Sequence, residues 1–208
     1  MADARLVTIE GLDGAGKTTL AAALGRELTR RGLTVRLLRE PGGVGASERI
    51  RELVKDPGVE IGARAEALLY AAARAQLVEQ TIAPLLGAGT WVLLDRFVDS
   101  SLAYQGGGRR LGRDAVQGIN EFATGGLTPD RTLLLKLNTE LGRARARARG
   151  MPADRLEAED QRFFERIAAA YDALAANEPE RVRMIDASRS PEEVLEAALD
   201  ALADLLPA

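Results

Sequence analysis

The chain contains neither cysteine nor histidine. The lack of cysteine excludes disulfide bonds, thiolate nucleophiles and thiolate metal sites. The lack of histidine means that any acid–base chemistry must use carboxylates, lysine, tyrosine or the charge of arginine. Both absences argue against a transition-metal site, whereas Mg²⁺, which prefers oxygen ligands, remains open.

Long apolar runs and a strong charge of one sign are also missing. No apolar segment approaches the length of a membrane span, and residues 1–5 carry no signal peptide, so we expect a cytoplasmic protein with no membrane partner. The formal charge of −3 gives no general attraction to a nucleic acid polymer. With 208 residues, 46% of them apolar, the chain is long enough for one substantial core.

Strand-prone and helix-prone segments alternate along the chain. We predict strands at 5–10, 34–39, 91–94, 132–137 and 181–185. We predict helices at 16–31, 46–55, 63–86, 98–104, 112–123, 140–149 and 157–177, with a break at Gly106–Gly108 and a last helix opened by a capping box at Ser190. The alternation indicates an α/β fold with a parallel sheet. Since no linker or repeat interrupts it, we expect one domain over residues 1–208.

A glycine-rich loop separates the first strand from the first helix. Residues Gly11–Thr18 fit the phosphate-binding pattern Gly-x-x-x-x-Gly-Lys-Thr. Glycines permit positive φ, so successive N–H groups can point into one concavity, and the helix adds its positive end. Lys17 would then meet the β- and γ-phosphates, and the Thr18 hydroxyl would bind Mg²⁺. The alternative is a glycine-rich turn that binds nothing.

Ligands of such sheets bind beyond the carboxyl ends of the strands. Arg39–Gly43 follows the second predicted strand, and Asp95-Arg96-Phe97 follows the third. Asp95 could hold Mg²⁺ directly or through water, and the planar guanidinium of Arg96 suits a second phosphate. The alternative is a solvated ion pair at a strand end.

An arginine-rich segment lies in the second half of the chain, with Arg143, Arg145, Arg147 and Arg149 on a predicted helix and Arg155 after it. Like charges at this spacing repel each other. The segment is either a solvated helix or a lid, at about 143–156, that closes on phosphates and excludes water. A phosphate loop in the same chain favours the lid.

Several motifs together resemble those of bacterial thymidylate kinases. They are Gly11–Thr18, Arg39–Gly43, Tyr70–Arg74, Asp95–Phe97, Ser101–Gly106 and Arg147–Gly150. The resemblance runs from about residue 5 to the end. It implies a P-loop NTPase fold, a three-layer α/β/α arrangement of a five-stranded parallel sheet with a small arginine-bearing lid. It also implies transfer of the γ-phosphate of ATP to dTMP with Mg²⁺, giving dTDP and ADP for dTTP biosynthesis.

The resemblance also assigns roles to matching positions. ATP would contact Gly11, Leu12, Asp13, Gly14, Ala15, Gly16, Lys17, Thr18 and Thr19, and Mg²⁺ would contact Thr18 and Asp95. The dTMP set is Asp13, Glu40, Arg51, Tyr70, Arg74, Arg96, Ser101, Tyr104 and Gln105. In that set, Tyr70 would stack on thymine, Arg74 would hydrogen-bond the thymine edge, and Tyr104 would lie beneath the deoxyribose. The catalytic residues would be Lys17, Arg149, Asp13 and Arg96.

One departure from the family pattern bears on mechanism. Some thymidylate kinases carry an arginine inside the phosphate loop, but here Gly14 and Ala15 follow Asp13. The chain therefore resembles the branch whose lid supplies that arginine. Arg149 is the first choice, and the alternatives are Arg143, Arg145, Arg147 and Arg155. Because the acceptor phosphate is already ionised, catalysis needs alignment and charge neutralisation rather than a strong general base.

Other interpretations stay open at this point. Tyr70 and Tyr104 could be core aromatics, and Arg74 could be a helix-surface residue. The chain could be a P-loop kinase for another nucleoside or nucleotide. It could also be a nucleotide-dependent switch, although its sequence contains neither Asn-Lys-x-Asp nor Asp-x-x-Gly after a strand. By resemblance we expect a homodimer formed through the helices at 46–55 and 63–86.

Overall fold

The computed structural model describes residues 4–148, 150 and 154–207. The strands are Leu6–Gly11 (β1), Val35–Arg39 (β2), Trp91–Asp95 (β3), Arg131–Lys136 (β4) and Val182–Asp186 (β5). They form one five-stranded sheet in the order β2-β3-β1-β4-β5, and every neighbouring pair is parallel. Each predicted strand is confirmed to within about one residue at its ends.

Helices connect the strands. They are Lys17–Arg30 (α1), Gly45–Lys55 (α2), Ala63–Leu77 (α3), Ala83–Gly87 (α4), Val98–Ser101 (α5), Arg113–Thr124 (α6), Thr139–Arg147 (α7), Gln161–Asn177 (α8) and Pro191–Asp200 (α9). Two π-helical segments, Val78–Ile82 and Leu102–Gly108, follow α3 and α5. Among the described residues, no helix combines the length and the apolar composition that crossing a membrane requires.

The sheet is covered by helices on both faces, because successive side chains of a strand point to opposite sides. In β3, Leu93 belongs to a buried cluster with Leu24 of α1 and Ala198 of α9. Its neighbour Val92 belongs to another cluster, with Leu77 of α3. The expected three-layer α/β/α arrangement is therefore confirmed.

The predicted break at Gly106–Gly108 is wrong, since these glycines lie inside the second π-helical segment. Their lack of side chains serves close packing instead. A Cβ added to Gly107 would lie 2.7 Å from the Cβ of Ala170, and one added to Gly108 would lie 2.7 Å from the Phe163 ring. The segment can thus approach α8 more closely than any residue with a side chain would allow.

Two helix starts show how capping decides a boundary. The helix predicted from 157 begins only at Gln161, because the Asp160 side chain accepts a hydrogen bond from the backbone N–H of Phe163 and caps it. The capping box predicted at Ser190 is confirmed, with Glu193 as its second member. The helix predicted to reach Arg149 is observed as Thr139–Arg147, and Arg149 itself lies outside the described residues.

The strand order brings the predicted site motifs together. β1 lies between β3 and β4, and Ile9 of β1 is in register with Asp95 of β3. Because β2 pairs with β3 on its other edge, the loop that begins at Glu40 emerges at the same end of the sheet. The phosphate loop, Asp95 and the Glu40 loop are therefore neighbours in space although they are far apart in sequence.

Candidate active site

A cavity of about 490 Å³ opens at the carboxyl end of the sheet. The predicted dTMP residues that line it are Asp13, Glu40, Arg51, Tyr70, Arg74, Arg96, Ser101, Tyr104 and Gln105. Gly16, Lys17, Thr18, Thr19 and Asp95 line the same cavity. The positions predicted for two substrates thus share one concave site, as expected for direct transfer of a group between them.

The phosphate loop has the backbone that its sequence predicts. Gly14 and Gly16 have φ values of 83° and 92°, in the left-handed region that glycine tolerates. Gly11, with φ 135°, also lies against β4, and a Cβ there would come within 2.5 Å of the carbonyl oxygen of Leu135. Only glycine fits that position without moving a strand.

Lys17 is the first residue of α1 and is 7% exposed. Its Nζ donates hydrogen bonds to the carbonyl oxygens of Gly11 at 3.1 Å and Leu12 at 3.0 Å. Burial, together with the nearby Arg96 cation, lowers the pKa of Lys17 to about 8, although Asp13 opposes that shift. The fold therefore holds a lysine beside the loop with a lowered pKa. A negative charge bound next to it would raise that pKa and favour the charged form.

The two predicted Mg²⁺ ligands meet. Thr18 Oγ1 donates a hydrogen bond to Asp95 Oδ2 at 3.0 Å, and both residues line the cavity beside Lys17. A hydroxyl and a carboxylate oxygen are hard donors of the kind that Mg²⁺ prefers, and Mg²⁺ sites of kinases use few protein ligands because phosphate oxygens and water complete the shell. The donor set fits the predicted ion.

Arg96 is the centre of a polar cluster beneath the loop. Its backbone has φ 71°, and one guanidinium nitrogen donates to Asp13 Oδ1 at 2.8 Å and to the Tyr104 hydroxyl at 3.1 Å. The guanidinium also lies over the Tyr104 ring, 5.0 Å from its centroid. Burial would raise the pKa of Asp13, but Arg96 and Lys17 hold it well below its usual range. Asp13 is therefore an anion positioned between two cations.

Glu40 and Arg74 form a buried ion pair, with Arg74 Nη2 2.7 Å from Glu40 Oε2. Arg74 is 1% exposed, so its interpretation as a surface residue is wrong. Its other donors bind Ser101 Oγ, the carbonyl oxygen of Phe97 and the side chain of Asn120. A direct bond from Arg74 to a base would share or replace one of these contacts.

Glu40, which lines the cavity, retains hydrogen-bonding capacity. Its Oε1 is buried and has no hydrogen-bond partner in the part of the chain that the structure describes. Burial raises the pKa of Glu40 to about 7 against the opposing effect of Arg74. An unpartnered buried oxygen in a cavity wall is the kind of group that a bound ligand or water satisfies.

The arginines of the lid segment differ in what they contact. Arg143 donates to Gln161 Oε1 and the Glu159 carbonyl oxygen and lies over the Phe164 ring. Arg145 donates to the carbonyl oxygen of Ala187. Arg155 pairs with Glu66 and donates to Val54. The side chain of Arg147 is exposed and makes no hydrogen bond or ion pair within the described ranges. Of the alternatives to Arg149, Arg147 is the one whose side chain lacks such contacts in the described ranges.

Helix α7, in which the predicted lid begins, lies against the phosphate loop. A Cβ added to Gly142 of α7 would come within 3.0 Å of the carbonyl oxygen of Asp13. Glycine at this position lets α7 begin in direct contact with the loop that would hold the donor phosphates.

Sequence reasoning missed part of the cavity wall and the residues behind it. Lys55, Asp154 and Leu156 line the cavity, and Glu10 and Glu66 support it from behind while fully buried. Two signals could have found the supporting pair. Glu10 is a carboxylate in an apolar strand, and Glu66 lies four and eight residues before Tyr70 and Arg74, on the same face of a helix.

Comparison with known proteins identifies relatives along nearly the whole chain. Residues 9–198 match the family model described as thymidylate kinase. A thymidylate kinase of Rhizorhabdus wittichii is 46% identical over 205 residues, which cover 98% of this chain and 99% of the relative. One of Deinococcus radiodurans is 48% identical over 199 residues, which cover 96% of each chain.

A solved structure agrees with these matches. The crystal structure of thymidylate kinase from Ehrlichia chaffeensis aligns with a TM-score of 0.76 at 27% identity, covering 96% of this chain and 98% of that chain. Sequence similarity and fold similarity thus each extend over nearly the whole chain. The chain belongs to the thymidylate kinase family.

Proposed function

We propose that this chain is a nucleoside monophosphate kinase that transfers the γ-phosphate of ATP to dTMP, giving ADP and dTDP for dTTP synthesis. One observation carries the proposal. Asp13, Gly16, Lys17 and Thr18 of the phosphate loop line a single cavity together with all the residues predicted to contact dTMP. A nucleotide-dependent switch needs no second site beside its phosphate loop, so this arrangement favours a transferase.

The donor side would be held by the phosphate loop. The N–H groups of the loop and the buried cation of Lys17 would bind the β- and γ-phosphates of ATP. Thr18 and Asp95, which are hydrogen-bonded to each other at 3.0 Å, are the residues that would hold Mg²⁺. When bound, the ion neutralises phosphate charge.

The acceptor side would be held by residues on the opposite wall. Arg96 and Arg51 would bind the phosphate of dTMP, and Arg96 already contacts Asp13, the carboxylate that would face the sugar hydroxyl. Tyr104 would lie beneath the deoxyribose, and Tyr70 would stack on thymine. Ser101 and Gln105 would read the edge of the base. With both nucleotides oriented, the reaction needs no general base, because the attacking phosphate oxygen is already ionised.

The lid would complete the charge neutralisation. Arg149 is our first choice for the arginine that stabilises the transferring phosphoryl group, and Arg147 is the second, because the other arginines of the segment already have partners. Closure of the segment would also exclude water and limit hydrolysis of ATP.

We further propose that the protein is a homodimer. Three helices expose large apolar side chains, Leu53 on α2, Leu68 on α3 and Phe122 on α6. α3 packs against both α2 and α6, so these helices are neighbours. The proposal extends the expected interface, at 46–55 and 63–86, by α6.

An ADP-release assay with ATP and Mg²⁺ tests the proposed reaction. dTMP, dUMP, dCMP, dGMP, dAMP and UMP would be supplied separately, and we expect a strong preference for dTMP. Activity mainly with another monophosphate would retain the phosphate chemistry and reject Tyr70, Arg74 and Gln105 as readers of thymine. ADP release that does not depend on any acceptor would favour a nucleotide-hydrolysing switch.

A further inference from the structure

Glu66 carries a buried charge behind the cavity wall that the proposed reaction does not use. It lies in the first turn of α3 and is fully buried, at 0% exposed. Its Oε1 accepts a hydrogen bond from Gln105 Nε2 at 2.8 Å. Its Oε2 lies 3.0 Å from Arg109 Nη2 and 2.7 Å from Arg155 Nη2. Because burying an unpaired carboxylate is costly, these contacts are needed to hold it there.

We propose that Glu66 is a positioning residue that fixes which end of the Gln105 amide faces the substrate. A carboxylate paired with two arginines can only accept hydrogen bonds, so the amide must turn its NH₂ group toward it. The amide oxygen is then the end directed away from Glu66, and Gln105 lines the cavity. This inference rests on the proposed function, because it concerns selection of the base.

This fixed orientation of the Gln105 amide favours thymine over cytosine. Thymine carries a hydrogen on N3 and can donate it to an amide oxygen, whereas cytosine N3 is an acceptor that an amide oxygen repels. An amide that was free to flip could present either its oxygen or its NH₂ group and would accommodate both bases. Glu66 removes the second orientation, so it contributes specificity without touching the substrate.

The same carboxylate joins the wall segments that enclose the base. Gln105 belongs to the π-helical segment, and Arg109 follows directly after it. Arg155 lies near the end of the predicted lid segment, where its backbone N–H donates to the carbonyl oxygen of Lys55 and its Nε to the carbonyl oxygen of Val54. Asp154 and Leu156, on either side of Arg155, line the cavity. Glu66 thus holds Gln105 and the neighbouring wall segments in one arrangement.

The test compares dissociation constants for dTMP and dCMP, measured by calorimetry. The proteins are the wild type, Glu66→Gln, Gln105→Ala and the double variant. Glutamine at 66 keeps the shape but can donate or accept, so the amide at 105 is no longer forced into one orientation. We expect Glu66→Gln to reduce the preference for dTMP over dCMP by about tenfold or more. We expect no further reduction when it is added to Gln105→Ala.

Glu79→Gln is the matched control, because Glu79 is exposed and follows α3 in the same helical stretch. Its dTMP preference should equal that of the wild type. A ratio of dissociation constants does not depend on the fraction of protein that is folded, so partial instability of a variant does not obscure the result. Should Glu66→Gln fail to fold, Glu66→Gln/Arg155→Gln removes one charge of each sign and carries the same comparison.

Three results would overturn the proposal while leaving the proposed function in place, provided that the wild type phosphorylates dTMP. One is an unchanged preference in Glu66→Gln. Another is that Glu66→Gln lowers the preference by the same factor in the wild type and in Gln105→Ala, since Glu66 would then not act through Gln105. The third is failure of both Glu66 variants to fold, which would make the residue structural. A wild type that does not phosphorylate dTMP would reject the proposed function and this inference together.

Discussion

At the scale of one residue, Lys17 shows how the fold places a buried cation where a phosphate would bind. The side chain is buried at the start of a helix and bonded to the carbonyl oxygens of Gly11 and Leu12. Burial and Arg96 disfavour its charged form, so its pKa falls to about 8. Phosphates that bind beside it would favour the charged form and raise that pKa again.

We therefore expect ATP affinity to fall as the pH rises through about 8, by up to about tenfold per pH unit, because binding then requires the uptake of a proton. Below that pH, Lys17 is already charged and affinity should be level. Calorimetry between about pH 7.5 and pH 9.5 in the absence of dTMP measures the effect.

Lys17→Ala supplies the control for this titration. It should bind ATP weakly at all these pH values, without the fall, and should lose most of its turnover while remaining folded. Near-normal turnover of this variant would contradict the assignment of the phosphate loop. A fall in affinity of the same size in Lys17→Ala would assign the titration to another group.

At the scale of elements, the π-helical segment Leu102–Gly108 carries Tyr104 and Gln105 into the cavity. The segment owes its position to contact with α8, where Gly107 faces Ala170. Helix α7, where the proposed lid begins, is placed in the same way, since Gly142 lets it lie against the phosphate loop. Glycines thus fix the position of two functional elements by allowing backbones to approach closely.

Gly107→Ala should lower the free energy of unfolding by about 1–3 kcal/mol, because the added methyl group would overlap Ala170. Gly118→Ala in α6 is the matched control. Nothing lies within 4 Å of a Cβ there, so alanine should stabilise that helix by about 0.5–1 kcal/mol. Urea unfolding measures both changes, and equal effects of the two substitutions would argue against close packing of α8 on this segment.

Two arginines of the predicted lid should differ in what their removal changes. Arg149→Ala should lower kcat by about a hundredfold or more while changing the dTMP dissociation constant little, because the charge it neutralises develops in the transition state. Arg143→Ala should mainly reduce stability, since Arg143 lies over Phe164 and binds Gln161. Steady-state kinetics and unfolding of both variants test the distinction. If Arg149→Ala weakens only affinity, Arg147 becomes the better candidate.

At the scale of the whole molecule, three neighbouring helices expose apolar side chains that a monomer would leave in water. Phe122 of α6 is 93% exposed, and Leu68 of α3 is 56% exposed. Exposure of large apolar residues on adjacent elements favours an interaction surface over isolated surface residues.

Phe122→Glu should convert the proposed dimer to a monomer at micromolar concentration, because a carboxylate would be buried without a partner in the interface. Light scattering after size-exclusion chromatography measures the mass. Met184→Glu is the control, since Met184 is 58% exposed on the edge strand β5, away from these helices. A monomeric wild type would reject the dimer, and equal dissociation of both variants would move the interface.

The sequence by itself determined the features that depend on local spacing. The phosphate loop, the alternation of strands and helices, and the capping box at Ser190 are each contained in a few adjacent residues, whose side-chain and backbone chemistry predicts the same structure wherever they occur. The resemblance to thymidylate kinases added the dTMP residues, and the family is confirmed.

Tertiary structure alone decided which charged residues have partners and which glycines lie in close contact with another helix. Arg155 reads as one more lid arginine, yet Glu66, 89 positions earlier in the chain, engages it. Taken alone, Arg74 could equally be a surface residue, yet it is buried and bonded to Glu40 and Asn120. A run of glycines predicts a loop and a close helix contact equally well, because both require the absence of a side chain. Such partners lie far apart in sequence, so only the folded arrangement of the sheet and its helices brings them into contact.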